Sequence, residues 1–244
     1  MKIVLSTLNA KFIHTSLSIR CLKAYAEPEF NVDLAEYTIK DPSMSIVTDL
    51  YSKKPDVIGF SCYIWNIEET IKVVKMLKKI NPNLIIVFGG PEVSYDVPEW
   101  LERLPEVDFI IIGEGEETFK QLLTQISSTQ DYKQVSGLGY LSDGKVVINP
   151  QRNKLDLREL PSPYRFEEDK KQLSKRVVYI ETSRGCPFSC QFCLSSIEVG
   201  VRYFDREKIK DDIRYLMENG AKTTNSLIGL LISVEAMQWK CSSF

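Results

Sequence analysis

Cys186, Cys190 and Cys193 lie within one short segment, TSRGCPFSCQFC, in a C-x3-C-x2-C arrangement. Three thiolates this close along the chain can converge on one metal centre, because a single loop need wrap it only once. As core packing they would be three buried thiols, but the segment is polar and broken by Gly185 and Pro187, which does not suit an interior. A closed structural zinc site takes four ligands. No fourth Cys or His lies nearby, since His14, Cys21 and Cys62 belong to an earlier part of the chain and Cys241 to its tail. Three thiolates and one open position instead fit a four-iron, four-sulfur (4Fe-4S) cluster, whose unliganded iron can chelate a substrate or cosubstrate.

The elements that must position this loop are legible from apolar patterning. Five runs rich in Val, Ile and Phe recur before it: KIVLSTL (2–8), NVDLAEY (31–37), DVIGFSC (56–62), NLIIVFG (83–89) and VDFIII (107–112). They read as strands. Helical segments alternate with them, most clearly IEETIKVVKMLKKI (67–80), where Ile67, Ile71, Val74, Leu77 and Ile80 form one apolar face opposite lysines. Near-continuous apolar strands joined by crossover helices imply an α/β fold: a parallel, doubly wound, flavodoxin-like sheet whose ligand sits beyond the strand C-termini. VSGLGYLSDGKVVINP reads as a β-hairpin turning at Ser142, Asp143 and Gly144, and the first domain is expected to close there, at residue 150. Residues 151–174 are charged, hold two prolines and lack periodicity, which suits an extended linker. From 175 to 223 the strand VVYIET leads into the cysteines, and a helix from Arg206 to Asn219, closed by Gly220, completes a strand-loop-helix unit.

Three loops fall at strand C-termini on one edge of the expected sheet: LNAKFIH, GGPEVS (Gly89 to Ser94) and GEGEET (Gly113 to Thr118). Their glycines, Gly89, Gly90, Gly113 and Gly115, let backbone approach a large flat ligand, or make tight strand-to-helix turns. Other ligands are disfavoured. A phosphoacceptor receiver needs acids after strand one and an aspartate ending strand three, where this chain has Leu8-Asn9 and Ser61-Cys62. Neither GxxxxGK[ST] nor GxGxxG occurs, and the acidic GEGEE loop repels phosphate. With 31 basic and 33 acidic residues, net charge -2, 43% hydrophobic and 26% charged residues, the chain is ordinary globular protein with no electrostatic footprint for nucleic acid. No apolar stretch approaches the roughly 20 residues that span a bilayer, and no signal peptide is read at the N-terminus. A cytoplasmic protein that binds small molecules, with neither nucleic-acid nor membrane partners, is expected.

The cysteine spacing after a strand, with the aromatic Phe192 just before the last cysteine, resembles the radical S-adenosylmethionine superfamily. That resemblance implies a partial (β/α) barrel, a 4Fe-4S cluster on Cys186, Cys190 and Cys193, and S-adenosylmethionine on the open iron. It also implies a reducing electron donor such as flavodoxin or ferredoxin, and one-electron cleavage to methionine and a 5'-deoxyadenosyl radical. A flavodoxin-like domain ahead of such a barrel resembles the cobalamin-binding domain of the cobalamin-dependent subgroup, whose usual chemistry is methyl transfer. By this resemblance the cofactor-binding candidates are His14, Ser61, Gly89, Gly90, Glu92, Gly113, Glu114, Gly115 and Glu116, with Phe192 beside the cluster. Each has a second reading. Ile13-His14-Thr15-Ser16-Leu17 lacks the family's Asp-x-His-x-x-Gly pattern, so His14 is either a cobalt ligand or a capping or surface residue. Ser61 either donates to the nucleotide tail or satisfies a strand end, and Glu114, Glu116 and Glu117 suit the first turn of any helix.

Only about 70 residues follow the linker, whereas a full barrel takes about 200, so a noncatalytic cobalamin or iron-sulfur binding fragment is the rival to an enzyme. The tail, TNSLIGLLISVEAMQWKCSSF (224–244), lacks the punctuation of a second barrel unit. Codons compatible with Asn225 to Ser233, shifted by one base, read KFIDRTFNI, which resembles the second barrel strand of the cobalamin-dependent enzymes. An out-of-frame tail is therefore expected, against the alternative of a short helix, LIGLLISVEAM.

Overall fold

A computed structural model describes residues 1–188, 190–191, 193 and 200–227. Its first 148 residues form a seven-stranded sheet in the order β2-β1-β3-β4-β5-β6-β7. The strands are β1 (Ile3–Asn9), β2 (Val32–Thr38), β3 (Val57–Ser61), β4 (Ile85–Gly89), β5 (Phe109–Ile111), β6 (Leu138–Ser142) and β7 (Lys145–Ile148). Strands β1 to β5 run parallel, while β6 and β7 add antiparallel at the far edge. The hairpin read from the turn residues thus extends the sheet, a pairing that local pattern does not specify.

Period-two alternation divides the strand side chains between two apolar layers. Val4, Leu8, Ile58, Phe60, Ile86, Phe88 and Ile110 pack on one face under α2 (Ser43–Ser52), α3 (Ile67–Ile80) and α4 (Val97–Arg103). Ile3, Leu5, Val57, Val87, Phe109 and Ile111 pack on the other under α1 (Leu17–Ala26) and α5 (Glu116–Ile126). Helices on both faces of a parallel sheet make this a doubly wound, flavodoxin-like domain. Helix α3 has the expected bounds, but its buried stripe runs through Ile67, Thr70, Val73, Val74 and Leu77, and Ile80 is exposed. The stripe turns toward Val73 because α3 also packs against α2.

The connector is packed along its length rather than extended. Leu157, Leu160, Tyr164, Phe166 and Leu173 are buried, and a short helix α6 (Glu167–Lys170) lies within it. Beyond it β8 (Val177–Glu181), α7 (Arg206–Glu218) and β11 (Thr223–Leu227) form a strand-helix-strand unit with β8 and β11 parallel. Asp205 caps α7 by accepting the Lys208 amide at 2.9 Å, worth about 1 kcal/mol. Strand β11 occupies the opening of the segment read as out of frame, and residues 228–244, Cys241 among them, lie outside the described residues. Between β8 and α7, β9 (Ser183–Cys186) and β10 (Gly200–Tyr203) pair antiparallel. Among the described residues no helix is long and apolar enough to cross a membrane.

Candidate functional site

The β9-β10 pair holds the mouth of the cysteine loop. Cys186 stands opposite Gly200, and Arg184 opposite Arg202. Cys186 is buried and its sulfur accepts the Phe188 amide at 3.5 Å, while the Cys193 amide donates to the Cys190 carbonyl at 3.2 Å. Cys190 is exposed and Cys193 half-buried. Among the described residues no three His, Cys, Asp or Glu side chains lie close enough together to hold a metal ion. The structure thus carries Cys186, Cys190 and Cys193 on one loop without drawing their thiols around a common point, and Phe192 lies outside the described residues. The two cysteines of the sheet domain, half-buried Cys21 and buried Cys62, differ in kind: desolvation pushes both thiols well up, away from thiolate and from ligation.

At the C-terminal edge of the sheet the order places β2 and β3 on opposite sides of β1, which creates a switch-point crevice. Ser61 lies there, and its hydroxyl bonds Ser18 at 2.9 Å, which in turn bonds Ser16 at 3.1 Å and accepts from Tyr63 at 3.3 Å. Buried Asn66 ties the edge together by donating to the Leu8 and Ser61 carbonyls at 3.2 and 3.0 Å. Around this polar row the loops after β1, β3 and β4 expose Phe12, Ile13, Ile64, Trp65 and Tyr95, and Tyr63 stacks on Trp65 at 4.4 Å. Apolar groups left in water around convergent hydroxyls suit a large, flat ligand with a polar tail. Sequence reading singled out Ser61 but not Ser18, Tyr63 or Asn66. Their position at the β1 and β3 termini was the available signal.

The glycines have internal reasons. A Cβ on Gly90, which sits at φ +113°, would stand 2.4 Å from the Cys62 carbonyl oxygen, and one on Gly115 3.0 Å from Leu22 on α1. Bulk at either of these two positions would disturb close packing within the protein. Gly113, at φ +77°, has nothing within 4 Å, so its left-handed backbone is what requires glycine. Gly89 closes β4, where its carbonyl accepts the Cys62 amide at 2.7 Å, and half-buried Glu92 follows in the same loop. His14 turns toward the second unit: its Nδ1 and the Tyr179 hydroxyl are 2.7 Å apart, and its carbonyl accepts from Asn9 and Arg176.

Glu114 and Glu116 are bound by arginines of the second unit. Arg184 donates to Glu116 at 2.6 Å and to Glu181 at 3.0 Å, while Arg202 pairs with Glu114. A second buried network crosses at β2: Glu36 accepts from Arg20 at 2.9 Å, Arg176 at 2.7 Å and the Ser16 amide at 2.6 Å, and Arg20 also holds Asp169 at 2.6 Å. A cavity of about 260 Å³ lies between α1, the connector, β8 and α7, lined in part by Cys21, Tyr164, Glu181 and Asp212.

Residues 3–123 match the B12 binding domain family. They are a B12-binding domain. Over 209 residues the chain is 32% identical to the cobalamin-dependent radical SAM methyltransferase TokK of Streptomyces tokunonensis, covering 80% of this chain and 30% of that protein. Over 218 residues it is 32% identical to the 2-(S-pantetheinyl)-carbapenam-3-carboxylate methyltransferase of Streptantibioticus cattleyicolor, covering 81% and 31%. The cobalamin-dependent S-adenosylmethionine radical enzyme OxsB, solved with aqua-cobalamin and S-adenosylmethionine bound, shares the fold with a TM-score of 0.76 at 23% identity, over 93% of this chain and 34% of that one. The chain is similar to cobalamin-dependent radical S-adenosylmethionine proteins and spans about a third of the length of each of these relatives. In the B12-binding domain the switch-point edge, with its hydroxyl row and exposed aromatics, is where the ligand crevice of the fold lies.

Proposed function

We propose that this protein binds cobalamin across the C-terminal edge of its B12-binding domain and a 4Fe-4S cluster on Cys186, Cys190 and Cys193, and serves radical-mediated methyl transfer. When bound, the cluster supplies one electron to S-adenosylmethionine chelated at its open iron, and cobalamin carries the methyl group. The chain's own residues hold these pieces apart and in place. Ser61, Ser18 and Tyr63 offer hydroxyls to the nucleotide tail; the loops from Gly89 to Glu92 and at Gly113 shape the crevice. The β9-β10 pair fixes the base of the cysteine loop, and the exposed aromatics at the crevice would exclude water once a ligand covers them. The observation that carries the reading is the C-x3-C-x2-C loop set on the antiparallel β9-β10 pair just after the parallel strand β8, in one chain with a B12-binding domain. The electron donor, of flavodoxin or ferredoxin type, and the methyl acceptor belong to the same proposal.

Anaerobic reconstitution of the full chain with iron and sulfide, followed by titration with cobalamin, tests it. Four irons per chain with the absorption and spin-resonance signals of a 4Fe-4S cluster are expected, lost on Cys186→Ala, Cys190→Ala or Cys193→Ala, together with a saturable change in the cobalamin spectrum. Stoichiometric zinc on the same cysteines with no iron taken up would refute the cluster. A folded chain that leaves the cobalamin spectrum unchanged would refute the crevice.

A further inference from the structure

The arginines at the mouth of the cysteine loop pose an electrostatic problem. Arg184 on β9 and Arg202 on β10 face each other in the antiparallel register, and like charges directly opposite destabilise a strand pair. Three carboxylates resolve it. Glu114 takes the Arg202 guanidinium and lies 3.9 Å from Arg184, Glu116 accepts from Arg184 at 2.6 Å, and Glu181 at the end of β8 accepts from it at 3.0 and 3.1 Å. Arg202 also donates to the Leu155 carbonyl at 2.8 Å. Glu116 is 5% exposed and Arg184 13%, so these are desolvated pairs that cannot be traded for water at no cost.

Two of the three acids come from the GEGEE loop of the B12-binding domain, at the same sheet edge as the ligand crevice, and Arg184 is two residues before Cys186. We infer that Arg184 and Arg202 are positioning residues that pin the base of the cysteine loop to the Gly113 to Thr118 turn of the B12-binding domain. The clamp sets the separation of the two cofactor sites. Glu114 and Glu116 thus serve the cluster side of the molecule instead of touching cobalamin. This rests on the proposed cluster and cobalamin sites, and it explains why an acidic turn faces the cysteine segment. Glu181 makes the clamp three-cornered, since it fixes Arg184 to the end of β8, the strand that precedes β9.

The test uses the full chain and the variants Arg184→Gln, Arg184→Lys and Glu116→Gln, with two readouts. One is amide hydrogen exchange at Ser183 to Cys186 and Gly200 to Tyr203 before reconstitution. The other is the rate at which a chelator removes iron afterwards, with the spin-resonance line shape recorded. Arg184→Gln and Glu116→Gln are expected to speed exchange in both strands and iron loss by about 10- to 100-fold, the range seen when groups supporting a metal ligand are removed. Arg184→Lys should recover part of both, and Arg184→Gln should leave the cobalamin titration unchanged, which also reports that the sheet domain is folded. Exchange and iron loss at the unsubstituted rates would overturn the clamp, as would Glu116→Gln weakening cobalamin while the hairpin stays closed. Should the unsubstituted chain take up no iron, the cluster proposal fails by itself, and the exchange rates still decide the clamp.

Discussion

The seven-stranded sheet and the strand-helix-strand unit beside it are held by different forces. The sheet has an apolar layer on each face, with Phe88, Leu101, Phe119 and Leu122 fully enclosed. At about 1.5–3 kcal/mol for each large side chain buried, such layers suffice for a domain that closes on itself. Among the described residues the second unit contributes Val178, Ile180 and Leu216 to a small cluster, completed by Leu17 from α1 and by Tyr164 and Leu173 from the connector. It borrows its core. What fixes it is polar: the Glu36 network at the start of β8 and the Arg184 clamp at its end. In a unit that carries the proposed cluster loop this matters, because paired charges specify one register where apolar surfaces tolerate sliding.

The largest blow to this contrast is Glu36→Ala. It removes the acceptor shared by Arg20, Arg176, Asn9 and the Ser16 amide and takes from the buried Arg176 guanidinium the carboxylate that pairs it, while Arg20 keeps Asp169, a loss of about 3–5 kcal/mol. Because the borrowed core is small, the second unit should open first. Urea unfolding followed by tyrosine signals of the second unit and by far-ultraviolet circular dichroism is expected to split into two transitions. A single transition at the unsubstituted midpoint would show that apolar contacts suffice.

A smaller, pH-dependent effect sharpens the same comparison. Burial by itself raises the Glu36 carboxyl, but Arg20, Arg176 and the Ser16 amide outweigh it and hold it below its ordinary value of 4.5. A depressed folded-state value means stability that is present above pH 4.5 and lost as the pH falls through that lower value. Burial raises Glu181 and Asp212 instead, so their protonation on acidification favours the folded state. The difference between Glu36→Gln and the unsubstituted chain cancels those two groups. That difference should be about 1–3 kcal/mol at neutral pH and shrink below pH 4.5, as measured by denaturation across pH. A gap that stays constant with pH would mean that Glu36 acts through shape alone.

How much of this was legible in the sequence also divides along the two regions. Strands β1 to β5 and α3 follow from periodicity, because each is a local apolar pattern. The stripe on α3 moved from Ile80 to Val73 because the neighbouring helix, not the helix itself, decides which side is covered. The joining of β6 to β5 and the pairing of β9 with β10 are long-range, and neither short segment carries alternation strong enough to reveal a partner. Glu114 and Glu116 show the limit most clearly. In sequence they suit the first turn of a helix or a ligand loop, and only the fold brings Arg184 and Arg202, some 70 to 90 positions later, onto them.

The smallest effect concerns His14, which stands where the two regions meet. Its Nδ1 lies 2.7 Å from the Tyr179 hydroxyl and its ring is tilted over that phenol at 5.9 Å. Either the phenol donates to Nδ1 or the imidazole N–H donates to the phenol, and in the second case Nε2 keeps a lone pair that a cobalt ion could use. Two substitutions separate a tie between the regions from a ligand. Tyr179→Phe removes the hydrogen bond and leaves the imidazole, whereas His14→Phe removes both and keeps an aromatic ring. If His14 is a tie, each costs about 0.5–1.5 kcal/mol, the double variant costs no more than either alone because both delete one interaction, and the cobalamin titration is unchanged in all three. Cobalamin binding lost in His14→Phe but kept in Tyr179→Phe would instead make the imidazole a cobalt ligand, and the boundary between the two regions would then pass through the cofactor itself.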